Sequence, residues 1–332
     1  MSRICIYPIL LSVSLLTALP SLAQSESLRA RQMQEFPLGL HGLLGLRPKD
    51  RENAATRNGH PSTAMRAAAH TYQFVARDFP GAAQSIVWDS SSDAKVGAFQ
   101  YDPRVVPQQF NGMVLTAGTF QTLNYPGASE TLITGINSSS EMAGIYLDSS
   151  YNPHGFTDAA GVFNSIDYPG TTGATQVFDL NDAGQIVGTY YDAGFQPHGF
   201  LLSEGSFTPI DFPGAVATVP AGINSGGDIV GGWYDSSNVL HGFLLRSGVF
   251  SSLDAPLAAI TEAEGINDQG EIAGTYVDSS GFAHGFVYRG GSFSRIDVAG
   301  ATDTSVIRVK NNGHLTGSYT DVLGEQHGFT AH

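Results

Sequence analysis

The tripeptide His-Gly-Phe recurs at His154, His198, His241, His284 and His327, at steps of 44, 43, 43 and 43 residues. A period of this length restricts the chain to a tandem array in which each copy is one supersecondary unit that buries its apolar face on its neighbours. Asn111-Gly112-Met113 stands 43 residues before His154 and fills the same slot, which makes six units. Glycine keeps the step at Gly144, Gly188, Gly231, Gly274 and Gly317, with Gly97 47 residues before them, and phenylalanine keeps it at Phe120, Phe163, Phe207, Phe250 and Phe293, with Phe74 46 residues before.

One unit, residues 172–213, reads as four strands. The first, 176–181, ends at the turn Asn181-Asp182-Ala183-Gly184, where short polar side chains and glycine favour chain reversal. Residues 186–192 alternate and are rich in β-branched and aromatic types, the mark of a second strand. A five-residue loop leads to a third at 198–202, a short turn to a fourth at 207–212, and Pro213-Gly214 stops it. Forty glycines and 42% hydrophobic residues suit such short strands and tight turns. A four-stranded meander of about 43 residues is the blade of a β-propeller.

The ends of the array are out of phase in a way that predicts closure. Residues 73–79 carry Phe74, Asp78, Pro80 and Gly81, which are fourth-strand residues with no unit before them, while the last unit stops at its third strand, His327-Gly328-Phe329. The expected architecture is an all-β, six-bladed β-propeller spanning 72–332, in which the N-terminal strand completes the last blade and removes two sheet edges.

Before the array, residues 1–23 have the layout of a cleavable signal peptide: Arg3, an apolar stretch broken by Pro8, and small residues ending at Ala23. The stretch is shorter than the roughly 20 apolar residues a membrane span needs, so the expectation is a secreted or periplasmic protein. Residues 24–71 show no sustained period and read as a flexible linker holding a Leu/Gly patch, 37–46, and a charged run, 47–57. Cys5 is the chain's one cysteine and lies inside the signal, so a mature chain has no thiol for a disulfide, a metal or a nucleophile. From residue 72 onward eight Lys or Arg face twenty-six Asp or Glu. Nucleic acids need a basic face, so they are not expected partners.

A residue present in every unit has a constructional role before any other. Asp148, Asp192, Asp235, Asp278 and Asp321 each stand six residues before a motif histidine and bracket the loop between strands two and three. Each Asp can accept a hydrogen bond from its own His across the hairpin, and that reading is preferred over a ring of metal sites. Tyr146, Tyr190, Trp233, Tyr276 and Tyr319 share a strand-two column suited to packing between units, and Trp233 is also kept among the channel candidates, for sugar stacking. No metal or cofactor is expected.

Residues 72–332 resemble the bacterial extracellular repeat family named for its H-A-F motif. The resemblance rests on Gly-Ile-Asn-Asp-Gln-Gly-Glu-Ile-Ala-Gly (265–274) followed by His284-Gly285-Phe286, with Gly where that family has Ala. It implies an exported repeat protein and brings no catalytic residues with it.

Positions that break the repeat are the better functional candidates. In the first-strand column of Gly135, Gly222 and Gly265, the third unit has Asp179 and the sixth Arg308, which face each other across a six-membered ring. Glu264 and Lys310 lie beside that column, and the expectation is a charged channel cluster of Asp179, Glu264, Arg308 and Lys310. No G-x-S-x-G, H-E-x-x-H, G-x-G-x-x-G or P-loop is present. The expected function is a non-catalytic extracellular binding or scaffold module, a monomer that takes a glycan or protein ligand on the face carrying the loops after strands two and four. The longer first loop, 103–110, is a further candidate for partner contact. The alternative is a secreted carbohydrate-active hydrolase or lyase at the channel mouth, with Asp179 and Glu264 as its two acids.

Overall fold

The computed structural model describes residues 66–67, 71–100, 110–171 and 174–332. The signal and most of the linker, together with nearly all of the longer first loop, lie outside the described residues. Among the described residues every regular element is a strand, and no helix is long and apolar enough to cross a membrane.

Each unit forms an antiparallel meander. The second (Glu130–Ile136, Met142–Leu147, Pro153–Ala159, Val162–Ile166), third and fourth are separate four-stranded sheets. The fifth carries an added parallel strand, Arg66–Ala67, on its outer strand Ser292–Ile296. The other eight strands are continuous, where separate sheets were expected. Asp303–Val309, Leu315–Thr320 and Gln326–Ala331 hold Phe74–Ala76 antiparallel to the last of them, with Phe74 opposite Ala331 and Ala76 opposite Phe329. The first unit, from Gln84–Ser90 to Thr119–Thr122, joins the same sheet through one parallel pair, Gln326 and Gln84.

Why the pattern folds this way is visible in three repeated contacts. The third residue of the His-Gly-Phe slot is fully buried in all six units: Met113, Phe156, Phe200, Phe243, Phe286 and Phe329. The strand-four aromatic packs edge-on against it, Phe207 on Phe200 at 5.2 Å, and Phe74 meets Phe329 at the same 5.2 Å. The column glycine beneath makes room for that ring, because a Cβ on Gly188 would come within 2.7 Å of Phe200. Between units, a hydroxyl at the start of the first strand accepts the backbone N–H that leaves the preceding unit. Ser85, Thr131, Thr175, Thr218, Thr261 and Thr304 all do so, at 2.9–3.0 Å. Aromatic stacking repeats the link: Tyr125 on Tyr146 at 3.7 Å, Tyr168 on Tyr190 at 3.6 Å and Phe212 on Trp233 at 4.2 Å.

Every first strand carries a bulge at the same place, for instance between Val177 and Asp179. A bulge leaves its extra residue out of the ladder. Here that residue is Trp88, Thr134, Phe178, Ala221, Glu264 or Ile307, and five of these carbonyls converge on one side chain. The first strands therefore line a common axis, and the chain is an all-β propeller.

Candidate functional site

The side chain on the axis is Arg308, 5% exposed. Its Nη1 donates to the carbonyls of Glu264 (2.6 Å) and Ile307 (3.2 Å), and its Nη2 to those of Phe178 (2.9 Å), Ala221 (3.1 Å) and Thr134 (3.4 Å). Thr316 donates to the sixth, that of Trp88. Asp179 faces the guanidinium with Oδ2 3.7 Å from Nε, so the structure brings these two together as their column predicts. Burial pushes the Asp179 carboxyl up to about 6, against the opposing pull of Arg308. Its oxygens also accept from the N–H groups of Leu180 and Ile223, which ties the third unit to the fourth.

Lys310 donates to Asp89 at 2.8 Å, and Asp89 also accepts from Ser90 and from Ile136 of the next unit. Asp89 stands in the Asp179 column and was missed in the sequence, because the longer first loop puts it 46 residues before Gly135 and out of step. Asparagine links run beside it. Asn181, Asn224 and Asn267 each donate to the corresponding carbonyl of the next unit, the last being that of Lys310. Where the asparagine is replaced by lysine, the ion pair with Asp89 continues the ring.

Two channel assignments need correction. The Glu264 carboxylate accepts from Thr275 (2.7 Å) and Ser305 (3.3 Å), between the fifth and sixth units, while its carbonyl accepts from Arg308. Trp233 stacks on Phe212 and His241, in the packing ladder between units. Asp179 and Glu264 thus have different hydrogen-bond partners.

The histidines lie farther out, on the face with the loops after strands two and four. The preceding aspartates build these loops: Asp148 Oδ1 accepts from the N–H groups of Ser150 and Asn152, and Asp192, Asp235, Asp278 and Asp321 repeat the pattern. The expected hydrogen bond from each His to its own Asp is present only at His284, at 3.2 Å from Asp278; elsewhere the separation is 3.6–3.7 Å. The closer partner is a second aspartate thirteen residues on, at the end of strand four. Asp167, Asp211, Asp254 and Asp297 hold Nδ1 of His154, His198, His241 and His284 at 2.6–3.2 Å, and Asp78 holds that of His327 at 2.9 Å. A carboxylate only accepts, so Nδ1 carries the proton. In the first unit both members change together, and Asn124 donates to Asn111 at 2.9 Å. In the sixth, Asp321, Glu325 and His327 bring three ligand atoms within 4.8 Å of one another, near enough to share an ion.

Burial disfavours the charged form of His284, but Asp297 and Asp278 outweigh it and raise its pKa. Burial likewise opposes ionisation of Asp278 and Asp297, yet hydrogen bonds from His284 and its neighbours lower both. The raised histidine stabilises the fold fully below its ordinary value of about 6.5, and that gain is lost as pH rises through the folded value. The lowered carboxyls stabilise above about 4, and that gain is lost as pH falls through theirs. The double variant His284→Asn/Asp297→Asn copies the Asn111–Asn124 pair. Its Tm deficit against wild type is expected to be largest between about pH 4 and 6.5 and to shrink on both sides. A deficit independent of pH would show that the clamp acts by shape alone.

The loop face also holds what the repeat pattern does not explain. The loop after strand two has a left-handed position, taken by Gly281 (φ 84) and Gly324 (φ 84) in the fifth and sixth units, but by Tyr151 (φ 62) and Phe195 (φ 60) in the second and third. After strand four the same holds for Gly81, Gly127, Gly170, Gly214 and Gly300, at φ 80–82, whereas the fourth unit has Leu257 at φ 65 with 56% exposure. Phe282, Val322 and Leu323 are exposed on this face as well, at 43%, 76% and 81%.

No family model matches the chain, and no curated protein matches it in sequence. Solved structures do match in shape. TolB from Acinetobacter baumannii aligns over 73% of this chain at 10% identity and a TM-score of 0.52, and the match spans 64% of that protein's length. AofleA from Arthrobotrys oligospora aligns over 79% of this chain and 88% of its own, at 12% identity and a TM-score of 0.49. The Aleuria aurantia lectin, a six-bladed β-propeller, covers 74% of this chain and 90% of its own, at 11% identity and a TM-score of 0.47. At 10% identity the likeness to TolB is one of fold, and it agrees with the all-β propeller.

Proposed function

We propose that this chain is an exported, non-catalytic binding or scaffold module of the H-A-F repeat type, which takes an extracellular glycan or protein on the loop face. The observation that carries this reading is the set of bulky side chains in left-handed backbone where sister loops have glycine. A non-glycine residue at such a position costs on the order of 1 kcal/mol or more. Leu257 is largely exposed, so the fold recovers little of that cost from its side chain. Strain that the fold does not need points to a use outside the fold.

The test substitutes glycine, which the sister loops already contain. Leu257→Gly is expected to melt a few degrees higher than wild type, about 2–4 °C for each kcal/mol of strain released. Tyr151→Gly, Phe195→Gly and Leu257→Gly combined are expected to abolish capture of whichever ligand the wild-type chain retains on glycan and secreted-protein arrays. A triple variant that binds as wild type would remove the loop face from the reading.

The proposal includes six blades, with the continuous eight-stranded sheet counted as two. Support comes from the single residue pair joining its halves and from the buried Met or Phe in each of six units.

A further inference from the structure

We infer that the sector of the loop face formed by Leu257, Phe282, Val322 and Leu323 docks a polypeptide segment of another protein, one in which apolar side chains are interspersed with lysine or arginine. The inference rests on the loop face being the binding face, and it names the chemistry of the partner. Sister loops show how little of this apolar surface the repeat itself requires. Val322-Leu323 stands where the loop after strand two has Ser149-Ser150, Ala193-Gly194 or Ser279-Ser280 in other units, and Phe282 stands in the slot of Asn152, Gln196 and Glu325. All four side chains are nonetheless exposed, Leu323 to 81%.

Hydrogen bonds knit the three loops into one surface. Ala259 donates to the carbonyl of Val277, which sets the loop of Leu257 beside the one that ends at Phe282. Ala283 donates to the Asp303 carboxylate, and the adjoining Thr302 hydroxyl donates to the carbonyl of Asp321, next to Val322. The N–H of Leu323 in turn donates to Asp321 Oδ1. The sector is therefore shaped before a partner arrives, which keeps the ordering cost of binding low.

Charge selects among possible partners. Asp254, Asp278, Asp297 and Asp321 bracket these loops with partly exposed side chains, and Glu325 is exposed beside them. Arg295 is the cation next to this rim and is already paired with Asp297, while the clamp histidines offset the carboxylates only when protonated. Asp321 Oδ2 lies 3.7 Å from His327 Nε2, beyond a hydrogen bond, and can accept from a donor outside the chain. An apolar patch with a polar rim is the pattern of a protein contact, and a rim of one sign favours a partner of the other. The same carboxylates repel an anionic lipid surface. Three of the four apolar side chains are aliphatic, so the sector suits apolar side chains better than it suits stacked sugar rings.

The probe is a short amidated peptide alternating lysine with leucine, titrated onto the purified protein at low salt. It is expected to bind one to one, and versions with glutamate for lysine or serine for leucine at least about tenfold more weakly. Val322→Ser/Leu323→Ser brings in the side chains of the fifth-unit loop and is expected to weaken the lysine–leucine peptide by at least about tenfold, through lost apolar burial. Glu325→Gln should weaken it by about two- to fivefold and flatten its salt dependence. Val249→Ser, at an exposed site on the opposite face, is expected to change nothing. Failure of the lysine–leucine peptide to bind, equal binding of all three peptides, or indifference to the double serine variant would each overturn the inference. So would a glycan whose capture that variant abolishes, because the sector would then belong to a sugar. Should the peptides fail while the glycine variants still lose their array ligand, the inference falls and the binding face stands.

Discussion

Replacing Arg308 with methionine is expected to destabilise the propeller by about 3–5 kcal/mol, the cost of breaking a buried ion pair from one side, and to lower Tm by roughly 6–15 °C. Methionine is of similar length, but five carbonyls lose their donor and buried Asp179 loses its ion-pair partner. Lysine restores a charge but not a planar fork that reaches several acceptors at once, so Arg308→Lys should fall between the two. Arg308→Met/Asp179→Asn should lose less than the sum of its parts, because the lone carboxylate is gone. Thermal melts of the four proteins decide the matter, and a methionine variant as stable as wild type would make Arg308 a passenger on the axis.

The second large effect lies at the seam. A chain beginning at Tyr72 is expected to fold, whereas one beginning at Gly81 is expected to aggregate or to melt at least about 10 °C lower. The difference removes the Phe74–Ala76 ladder and the flanking bonds from Gln73 to His332 and from Arg77 to Gly328. It also strips Phe74 from Phe329 and Asp78 from His327. Burying one phenylalanine is worth about 1.5–3 kcal/mol, each hydrogen bond about 0.5–1.5 kcal/mol, and an open strand edge invites pairing with another chain. Light scattering and a melt of the two chains are sufficient. If the shorter one melts within a few degrees of the longer, closure does not depend on this strand.

These two regions differ in how far the sequence alone reveals them. The seam could be read there, because Phe74, Asp78 and Pro80 carry the spacing of a fourth strand with no unit before it. The Asp179–Arg308 opposition could be read too, since both break one column and stand three units apart. Asp89 could not, because an insertion in the first loop shifted its spacing. The second aspartate of each clamp recurs at Asp167, Asp211, Asp254 and Asp297 and was available in principle. Its distance of thirteen residues from the histidine hides a contact that exists only once strands three and four pair. The Glu264 carboxylate and Trp233 were misplaced for a related reason. Column membership says which strand position a residue occupies, but not which neighbour the twist and bulge turn it towards.

Periodicity therefore determined the unit, its four strands, the number of repeats and the N-terminal strand that pairs with the last of them, because each copy must bury the same face in the same way. Tertiary structure alone decided what the irregular residues do. A ring of backbone carbonyls leaves no trace in the choice of side chain, so the partners of Arg308 are invisible until six bulges point at one axis. Backbone handedness is likewise unreadable in a loop until the strands on either side fix its path. The folded chain shows that Leu257, Tyr151 and Phe195 occupy conformations in which their sister units have glycine.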